Sequence, residues 1–403
     1  MAKVVIKRGR ANPLWHGHPW VFSGAIEREV GTYAAGDVVD VEDGDGRLIG
    51  RGHANPRSQI RVRIVTFRDE AVDGALLRKR LAEAQGLRRL LGLPSSETTA
   101  YRLVGSEGDA LPGVTIDVYG DVAVVLFSTL GMKRVEDEVY AAVDELLHPR
   151  AIVEAAAGGV AQLEGFHAQN RVVRLADGAD EASLRRVSCL ENGVKLEVDP
   201  LGGQKSGMFL DQRDNRRRVG AVVANMVAAG RTPRVLDVYT YAGGFALAAL
   251  RAGAAEATCV DSSARALERA AQHAQLNGLQ GLSTVESDAF RFLESATPRR
   301  YDVVVLDPPK FARAKKDLDA AMKGYQRLNM LGLTAVAEDG ILATASCSQN
   351  VDLESFERML AAAARDAGRR VQVLEVASQA PDHPVTPAFA EGRYLKFLLC
   401  RVV

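Results

Sequence analysis

The 403-residue sequence predicts an α/β protein with three domains, at residues 1–70, 71–184 and 185–403. From residue 234 onward, short apolar runs alternate with segments of helical periodicity. That pattern is typical of a doubly wound, mostly parallel sheet with helices on both faces. The first 70 residues instead alternate apolar and polar positions, as β-strands do, and the middle of the chain mixes the two patterns. A chain of this length favours two or three domains at roughly 150 residues each.

The first domain is predicted to be rich in β-strands. The stretch "DVVDVEDGDGRLIGRG" alternates on both sides of a turn at residues 44–46, which predicts a hairpin, and "QIRVRIVTF" predicts another strand. Both tryptophans, Trp15 and Trp20, lie near His16 and His18. A packed aromatic corner is favoured here over a zinc site, because no cysteine or acidic ligand lies nearby. No metal is expected in the protein.

The central domain is predicted to be a small α+β unit, and the third domain to contain the doubly wound sheet. Helices are expected over 70–92 and 133–148, a strand pair around 119–121, and a linker over 175–183. Asn192 and Gly193 predict a hairpin turn, and Asp211 is the expected N-cap of a helix. The runs "RVQVLEVAS" and "RYLKFLLCRVV" are joined without a helix, so they should pair antiparallel at one edge of the sheet.

Composition excludes some classes of protein and leaves others open. The formal net charge is zero, and the basic excess in residues 1–68 is only weak evidence for RNA binding. The start "MAKVVIKRGR" lacks the apolar core of a signal peptide, and no apolar run approaches the roughly 18 residues of a membrane helix. Four widely spaced cysteines are typical of reduced thiols. We therefore expect a cytoplasmic protein that does not enter a membrane.

The residues that follow each predicted strand are the candidates for chemistry, because ligands bind at the carboxyl ends of such strands. These residues, in chain order, are Asp237, Asp261, Asp288, Asp307 and Cys347. The first loop, "DVYTYAGGF", contains a glycine pair that lets the backbone approach a ligand, but it is neither GxGxxG nor a phosphate-binding loop. Asp261 is placed to bind a ribose diol or to cap a helix, and Asp288 could accept from an adenine amino group.

The motif "LDPPKF" at residues 306–311 is the most specific local signal in the chain. Two prolines directly after an apolar strand make a rigid extended turn, which presents Asp307 in a fixed direction. Phe311 could stack on a nucleobase. The other interpretation is a purely structural turn.

The order of these motifs resembles that of class I S-adenosylmethionine (SAM)-dependent methyltransferases, and more closely the RlmI type of ribosomal RNA large-subunit methyltransferase. The resemblance covers nearly the whole chain. "GHPWVFSGAI" and "GRLIGRGHANPRSQIRVRI" resemble its N-terminal PUA domain, and "RLVGSEGDALPGVTIDVYGD" its central domain. "GGQKSGMFLDQRDNR" and "HPVTPAFAEGRYLKFLL" resemble segments that flank its Rossmann-like catalytic sheet. The stretch "AIVEAAAGGVAQLEGF" departs from the family, which usually has a more polar, Arg-containing segment there.

The resemblance implies methylation of carbon 5 of a cytosine in large-subunit (23S) ribosomal RNA, with SAM as methyl donor and a homodimeric enzyme. Cys347 would be the nucleophile, Lys310 its activator, and Asp307 a hydrogen-bonding partner of the cytosine. The implied cofactor-binding residues are Asp237, Tyr239, Tyr241, Gly243, Gly244, Phe245, Asp261, Ser262, Asp288, Ala289 and Asp307, together with Gln204 and Phe209 from the preceding segment.

Other functions stay open at this point. A related guanine-N7 methyltransferase has a DPP motif and needs no nucleophile, whereas an adenine-N6 enzyme places an aromatic residue where this chain has Lys310. A nicotinamide oxidoreductase would need the dinucleotide fingerprint that this sequence lacks. An RNA-binding protein with an inactive catalytic domain is disfavoured, because all five strand-end side chains are present.

Overall fold

The computed structural model describes residues 1–156, 158–202, 207–311 and 317–403. The chain divides into two compact units. One consists of Met1–Gly193, Glu197–Leu210 and Pro381–Gly392, and the other of Val194–Leu196, Asp211–Ala380 and Arg393–Val403. In the described ranges, none of the helices has both the length and the apolar character that crossing a membrane requires.

The N-terminal part of the first unit is a six-stranded sheet. Its elements are β1 (Lys3–Ile6), α1 (Asn12–Trp15), β2 (Trp20–Phe22), β3 (Ile26–Val30), β4 (Val38–Glu42), β5 (Leu48–Ala54) and β6 (Ile60–Thr66). The spatial order is β2-β6-β5-β4-β1-β3, and β4 and β5 form the predicted antiparallel hairpin. Apolar side chains at alternate positions of these strands form the core of the sheet, as the sequence pattern predicts.

The predicted aromatic corner forms around one tryptophan only. The ring of Trp20 lies 4.7 Å from that of Phe389, and His18 packs edge-on against both rings. Trp15 is instead 46% exposed, with the guanidinium of Arg47 over its ring. The described residues contain no cluster of three or more metal-ligating side chains.

A second sheet of the first unit corresponds to the predicted α+β region. Its elements are α2 (Gly74–Leu90), β7 (Ala100–Gly105), β8 (Val114–Tyr119), β9 (Val122–Phe127), α3 (Leu130–Arg134), α4 (Glu136–Leu147), β10 (Ala151–Glu154), α5 (Gly159–Glu164) and β11 (Arg171–Leu175). The strand order is β11-β10-β9-β8-β7. Helix α2 begins after Asp73, whose carboxylate accepts a hydrogen bond from the Leu76 amide. The single helix expected over 133–148 is two helices, because Val135 leaves helical geometry between them.

A buried arginine fastens residues 381–392 to this second sheet. Arg88 has no exposed side-chain surface, and its guanidinium forms a bidentate ion pair with Asp109. The same guanidinium donates to the carbonyl oxygens of Arg102 at 2.8 Å and Asp382 at 2.7 Å. A buried charge needs this many partners, because an unpaired one would cost several kcal/mol.

Two further strands, β12 (Val187–Glu191) and β13 (Val194–Val198), form a two-stranded sheet at the predicted hairpin. The second unit then begins with α6 (Arg213–Ala228). The prediction that Asp211 caps this helix is wrong. Gln212 occupies the N-cap position, and the Asp211 carboxylate instead accepts a 2.6 Å hydrogen bond from the Tyr394 hydroxyl.

The second unit contains the predicted doubly wound sheet. Its remaining elements are β14 (Arg234–Val238), α7 (Gly244–Arg251), β15 (Glu256–Asp261), α8 (Ala264–Leu276), β16 (Leu282–Glu286), α9 (Ala289–Ser295), β17 (Tyr301–Leu306), α10 (Leu318–Ala335), β18 (Val336–Ser346), α11 (Leu353–Asp366), β19 (Val371–Ala377) and β20 (Lys396–Val402). The order is β16-β15-β14-β17-β18-β20-β19. The first five strands run parallel, and β20 pairs antiparallel with both β18 and β19, which confirms the predicted edge.

Candidate active site

The strand order brings the ends of β14, β17 and β18 side by side. Val238 pairs with Leu306, and Leu306 pairs with Thr344, so Asp307 lies one strand away from Cys347. Strand β14 has β15 on one side and β17 on the other, so the order of strands reverses beside it. A reversal of this kind opens a crevice at the carboxyl ends of the strands, where ligands of doubly wound folds bind.

The loop after β14 has several residues with positive φ, a conformation that few residue types adopt readily. Gly243 has a φ of +82°, and a Cβ added there would lie 2.8 Å from the Cβ of Ala270. Tyr239 and Tyr241 also have positive φ values, +62° and +51°, which are uncommon for residues with a side chain. Gly244 begins helix α7. The loop therefore holds a strained conformation close to a helix N-terminus, and such strain clusters at ligand sites.

The carboxylate of Asp237 stabilises this loop through hydrogen bonds. It is completely buried, and its Oδ2 accepts hydrogen bonds from the Thr240 hydroxyl at 2.6 Å and the Ala246 amide at 3.1 Å. Burial raises the pKa of this carboxyl to about 6, against the opposing effect of these two hydrogen bonds. In the described part of the chain, the buried Oδ1 has no hydrogen-bond partner. A buried carboxylate oxygen without a partner is suited to bind a cationic group of a ligand.

Asp261 does not cap a helix, which was one of its two interpretations. Ser263 caps α8, its hydroxyl accepting from the Ala266 amide. The Asp261 carboxylate accepts instead from the amide of Tyr241 at 2.9 Å and that of Ser263 at 3.0 Å. It thus ties the glycine loop to the end of β15 and remains partly accessible, as a ligand of a ribose diol must be.

Asp288 does cap a helix, because its carboxylate accepts from the Arg291 amide at the start of α9. Capping occupies one carboxylate oxygen, and the residue is exposed. The charges of Asp288 and Asp261 act on the Tyr239 hydroxyl. Burial, followed by these two carboxylates, raises the pKa of Tyr239 to about 12. Tyr239 is therefore electrostatically coupled to two residues proposed from other loops.

Asp307 is held by a residue that the sequence did not suggest. The Gln212 amide donates to its Oδ1 at 2.9 Å, and Gln212 is itself held by Asn215 at 2.6 Å. Burial and the nearby carboxylate of Asp211 raise the pKa of Asp307 to about 7. An acid with this pKa is present in both protonation states at neutral pH.

Cys347 directly follows β18, in a small polar cluster with a lysine. The Tyr325 hydroxyl is hydrogen-bonded to the hydroxyls of Ser346 at 3.1 Å and Ser348 at 3.0 Å, on either side of the cysteine. The ammonium of Lys396, which is buried, donates to the carbonyl oxygen of Ser348 at 2.6 Å. Cys347 is partly accessible, whereas the other three cysteines are buried.

Burial distinguishes those three cysteines chemically as well. It raises the pKa values of the Cys189 and Cys259 thiols strongly and that of Cys400 to about 12. Cys347 is therefore the thiol with access to a ligand at the carboxyl edge of the sheet.

The other predicted site residues fall in different places. Phe245 is buried, and its ring stacks on Phe397 in the core, so only its backbone could contact a ligand. Ala289 is buried at the start of α9, and Ser262 is exposed beside Asp261. Phe209 is partly buried and belongs to the first unit. Gln204 lies outside the described residues.

Two residues of the DPPKF motif behave differently from one another. Lys310 is exposed. Phe311 is partly buried, with its ring 4.7 Å from that of Tyr325. The suggestion that Phe311 stacks on a base is therefore at odds with this packing, which uses the ring to support α10.

The residues that sequence reasoning missed are Gln212, Tyr325 and Lys396. One signal was available, because Lys396 interrupts the apolar run "YLKFLLC", and a lysine is rarely buried without a partner. Nothing comparable marks Gln212 or Tyr325, whose roles depend on contacts with distant segments.

The donor set at the crevice fits SAM. That molecule carries a cationic ammonium, a sulfonium, a ribose diol and an adenine. Asp237 offers a buried carboxylate oxygen that no described residue hydrogen-bonds, and Asp261 offers a carboxylate beside the strained glycine loop. Fold and site together define the class of the protein, a SAM-dependent methyltransferase with a Rossmann-like catalytic sheet.

Comparisons with known proteins agree with this class. Residues 4–67 match a PUA-like domain family, and residues 116–400 match an S-adenosylmethionine-dependent methyltransferase family. A methyltransferase solved in complex with SAH has a similar fold, with a TM-score of 0.82, 22% identity and coverage of 100% of both chains.

Curated relatives specify the family. Ribosomal RNA large subunit methyltransferase I of Klebsiella pneumoniae (strain 342) is 39% identical over 408 residues, covering 100% of this chain and 98% of the relative. The enzyme of the same name from Aeromonas salmonicida (strain A449) is 39% identical, covering 99% and 98%. The chain belongs to this family, the RlmI-type ribosomal RNA large-subunit methyltransferases.

Proposed function

We propose that the protein transfers a methyl group from SAM to carbon 5 of a cytosine in large-subunit (23S) ribosomal RNA, through a covalent bond between Cys347 and the base. The observation that carries this proposal is the partly accessible thiol of Cys347 one strand from Asp307, at the sheet edge where SAM is proposed to bind. The relatives are large-subunit ribosomal RNA methyltransferases, which supports this RNA as the substrate, and the accessible thiol supports carbon 5 of cytosine as the position.

A thiol is needed because carbon 5 of cytosine is a poor nucleophile. The Cys347 thiolate attacks carbon 6 and forms a C–S bond. The electrons of the C5=C6 double bond move to the C4–C5 bond, those of N3=C4 move onto N3, and N3 takes up a proton, which leaves carbon 5 as the nucleophilic carbon of an enamine. SAM, when bound, supplies an electrophilic methyl group. After carbon 5 has gained the methyl group, a base removes the proton from carbon 5. The double bond then re-forms and the C–S bond to Cys347 breaks. Covalent catalysis of this kind divides one difficult step into easier ones.

Asp307 is suited to assist the attack. With a pKa raised to about 7, a substantial part of this carboxyl is protonated at neutral pH. The protonated form can donate to ring nitrogen N3 of the cytosine, which withdraws electron density as the thiolate adds at carbon 6. The Gln212 amide keeps the carboxyl oriented.

For SAM, we assign the ammonium to the buried Oδ1 of Asp237 and the ribose diol to Asp261. The adenine amino group would lie near Asp288 and Tyr239. Tyr241, Gly243, Gly244 and the Phe245 backbone would form the loop around the amino-acid end, with Ser262 and Ala289 at the rim. Gln204 and Phe209 remain proposed from the resemblance.

Residues 1–70 would bind RNA as the PUA-like domain, and the three-domain division at 70/71 and 184/185 remains a proposal that limited proteolysis can test. A cytoplasmic location follows from the ribosomal substrate. We also predict a homodimer, which light scattering can test.

The decisive experiment compares ribosomal RNA from a deletion strain carrying either the natural gene or Cys347→Ala. Bisulfite sequencing should show one cytosine methylation that disappears on deletion and is not restored by Cys347→Ala. Cys259→Ala, which changes a buried thiol away from the crevice, is the matched control and should restore it where the protein accumulates normally. If Cys347→Ala restores a methylation mapped to guanine N7 instead, the enzyme is the non-covalent type and the proposal is wrong.

A further inference from the structure

Lys396 is a buried cation next to the proposed nucleophile. Lys396 is the first residue of β20 and pairs with Ser346 of β18, which directly precedes Cys347. Lys396 is only 7% exposed, although lysine is among the residues least often buried. Such a lysine must be held by specific partners.

Those partners lie around the cysteine. The ammonium donates to the carbonyl oxygen of Ser348 at 2.6 Å, and Ser348 directly follows Cys347. It also donates to the carbonyl oxygen of Tyr394 at 2.7 Å. An ammonium has three N–H donors, and these two contacts use two of them. The charge is therefore fixed by backbone groups in the immediate neighbourhood of the thiol.

We propose that Lys396 is the cation that stabilises the thiolate of Cys347. As an account of catalysis this rests on the proposed function, but the thiolate can be measured without any methyl transfer. A cation beside a cysteine is a general means of producing thiolate at neutral pH. The backbone hydrogen bonds keep Lys396 in place while Cys347 bonds to and leaves the base.

The charges around Lys396 are consistent with this role. Burial lowers the pKa of Lys396 to about 8, while Cys347 and Asp352 favour its charged form and Lys310 opposes it. A lysine with this pKa is still mostly protonated at pH 7. The Tyr325 hydroxyl also interacts electrostatically with Cys347, and it is held by the flanking serines.

Lys310, the activator suggested by the sequence, is less suited to the task. It is exposed, so water and salt screen its charge, whereas a buried charge acts through a lower effective dielectric constant. The two lysines can be separated by experiment, because each can be replaced without touching the other.

The test is the pH dependence of alkylation of Cys347 by iodoacetamide in the full-length protein, followed by peptide mass spectrometry. In the unmodified protein we expect a midpoint below the ordinary thiol value of about 8.5. Lys396→Met should raise the midpoint by at least about one pH unit, which means about tenfold slower alkylation at pH 7. Lys396→Arg, which keeps the charge, should recover most of the rate, and Lys310→Met should change it less than about threefold.

Three results would overturn the proposal. They are a midpoint at or above that of an ordinary thiol in the unmodified protein, unchanged alkylation in folded Lys396→Met, or a change of more than about threefold in Lys310→Met. The first and third results need no Lys396 variant, so the proposal stays testable if Lys396→Met does not fold. If alkylation behaves as expected but Cys347→Ala still methylates RNA, the proposed function fails while this inference stands.

Discussion

Replacing Asp237 by Asn should remove the loss of folding stability that ionisation of this buried carboxyl causes as the pH rises. The Asp237 carboxylate is fully buried, and burial raises its pKa from 3.8 to about 6. Because the folded state holds this proton more tightly than the unfolded state, the stabilising contribution is complete below pH 3.8. It is lost as the pH rises through about 6. The total change is two pKa units, or about 3 kcal/mol.

The part of this change that can be measured lies between pH 5 and 8. There the natural protein should lose about 1.4 kcal/mol relative to Asp237→Asn. Between the two pKa values the folded state binds about one proton more than the unfolded state, so stability falls by about 1.4 kcal/mol per pH unit until the pH reaches about 6. The Asn side-chain oxygen can still accept from Thr240 and Ala246. The NH₂ group of Asn would take the place of Oδ1, which no described residue hydrogen-bonds. Burying this unsatisfied group costs about 1–3 kcal/mol, and the cost does not vary with pH.

Hydrogen exchange of the β14 amides, followed by mass spectrometry across this pH range, measures the difference directly. Isothermal titration should also show roughly 10- to 100-fold weaker SAM binding in the variant, because a charged hydrogen bond contributes about 1.5–3 kcal/mol. Parallel pH curves for the two proteins would refute the reasoning about Asp237. Unchanged SAM affinity would refute its assignment to the ammonium.

Three other outcomes are expected. Gly243→Ala should weaken SAM binding and destabilise the loop by at least about 1–2 kcal/mol, because its Cβ would meet Ala270 and its φ is positive; calorimetry measures the binding. Arg88→Met should destabilise the first unit by about 3–5 kcal/mol by leaving Asp109 buried and unpaired, and adding Asp109→Leu should recover part of this; denaturation followed by tryptophan fluorescence is the measurement. Asp307→Asn should slow methyl transfer about 10²-fold or more and remove the alkaline decline near pH 7 from the rate profile, which a steady-state assay over pH 6–9 would show.

Much of the fold was predictable because it depends on local periodicity. The hairpin at 44–46, the parallel strands from 234 onward and the antiparallel C-terminal edge are each encoded in a short stretch. The errors came where a local signal competes with a distant partner. Asp211 has the residue type and position of an N-cap, but the hydroxyl of Tyr394 takes its carboxylate.

The candidate site divides in the same way. Strand-end positions alone selected Asp237, Asp261, Asp307 and Cys347, because parallel strands bring their carboxyl ends to a single edge. Capping chemistry could not decide between the interpretations of Asp261, since Ser263 two residues later is an equally good cap.

The sequence by itself determined the class of sheet, and it singled out the strand-end loops and Cys347 as candidates, because these depend on the order of residues along the chain. Only the tertiary structure shows that the ammonium of Lys396 lies against the residue after Cys347. Lys310 is near Asp307 in sequence but exposed, whereas Lys396 lies far along the chain and is brought beside Cys347 because β20 inserts between β18 and β19. The order of strands depends on how both faces of the sheet are buried against helices, and no short stretch of sequence encodes that packing.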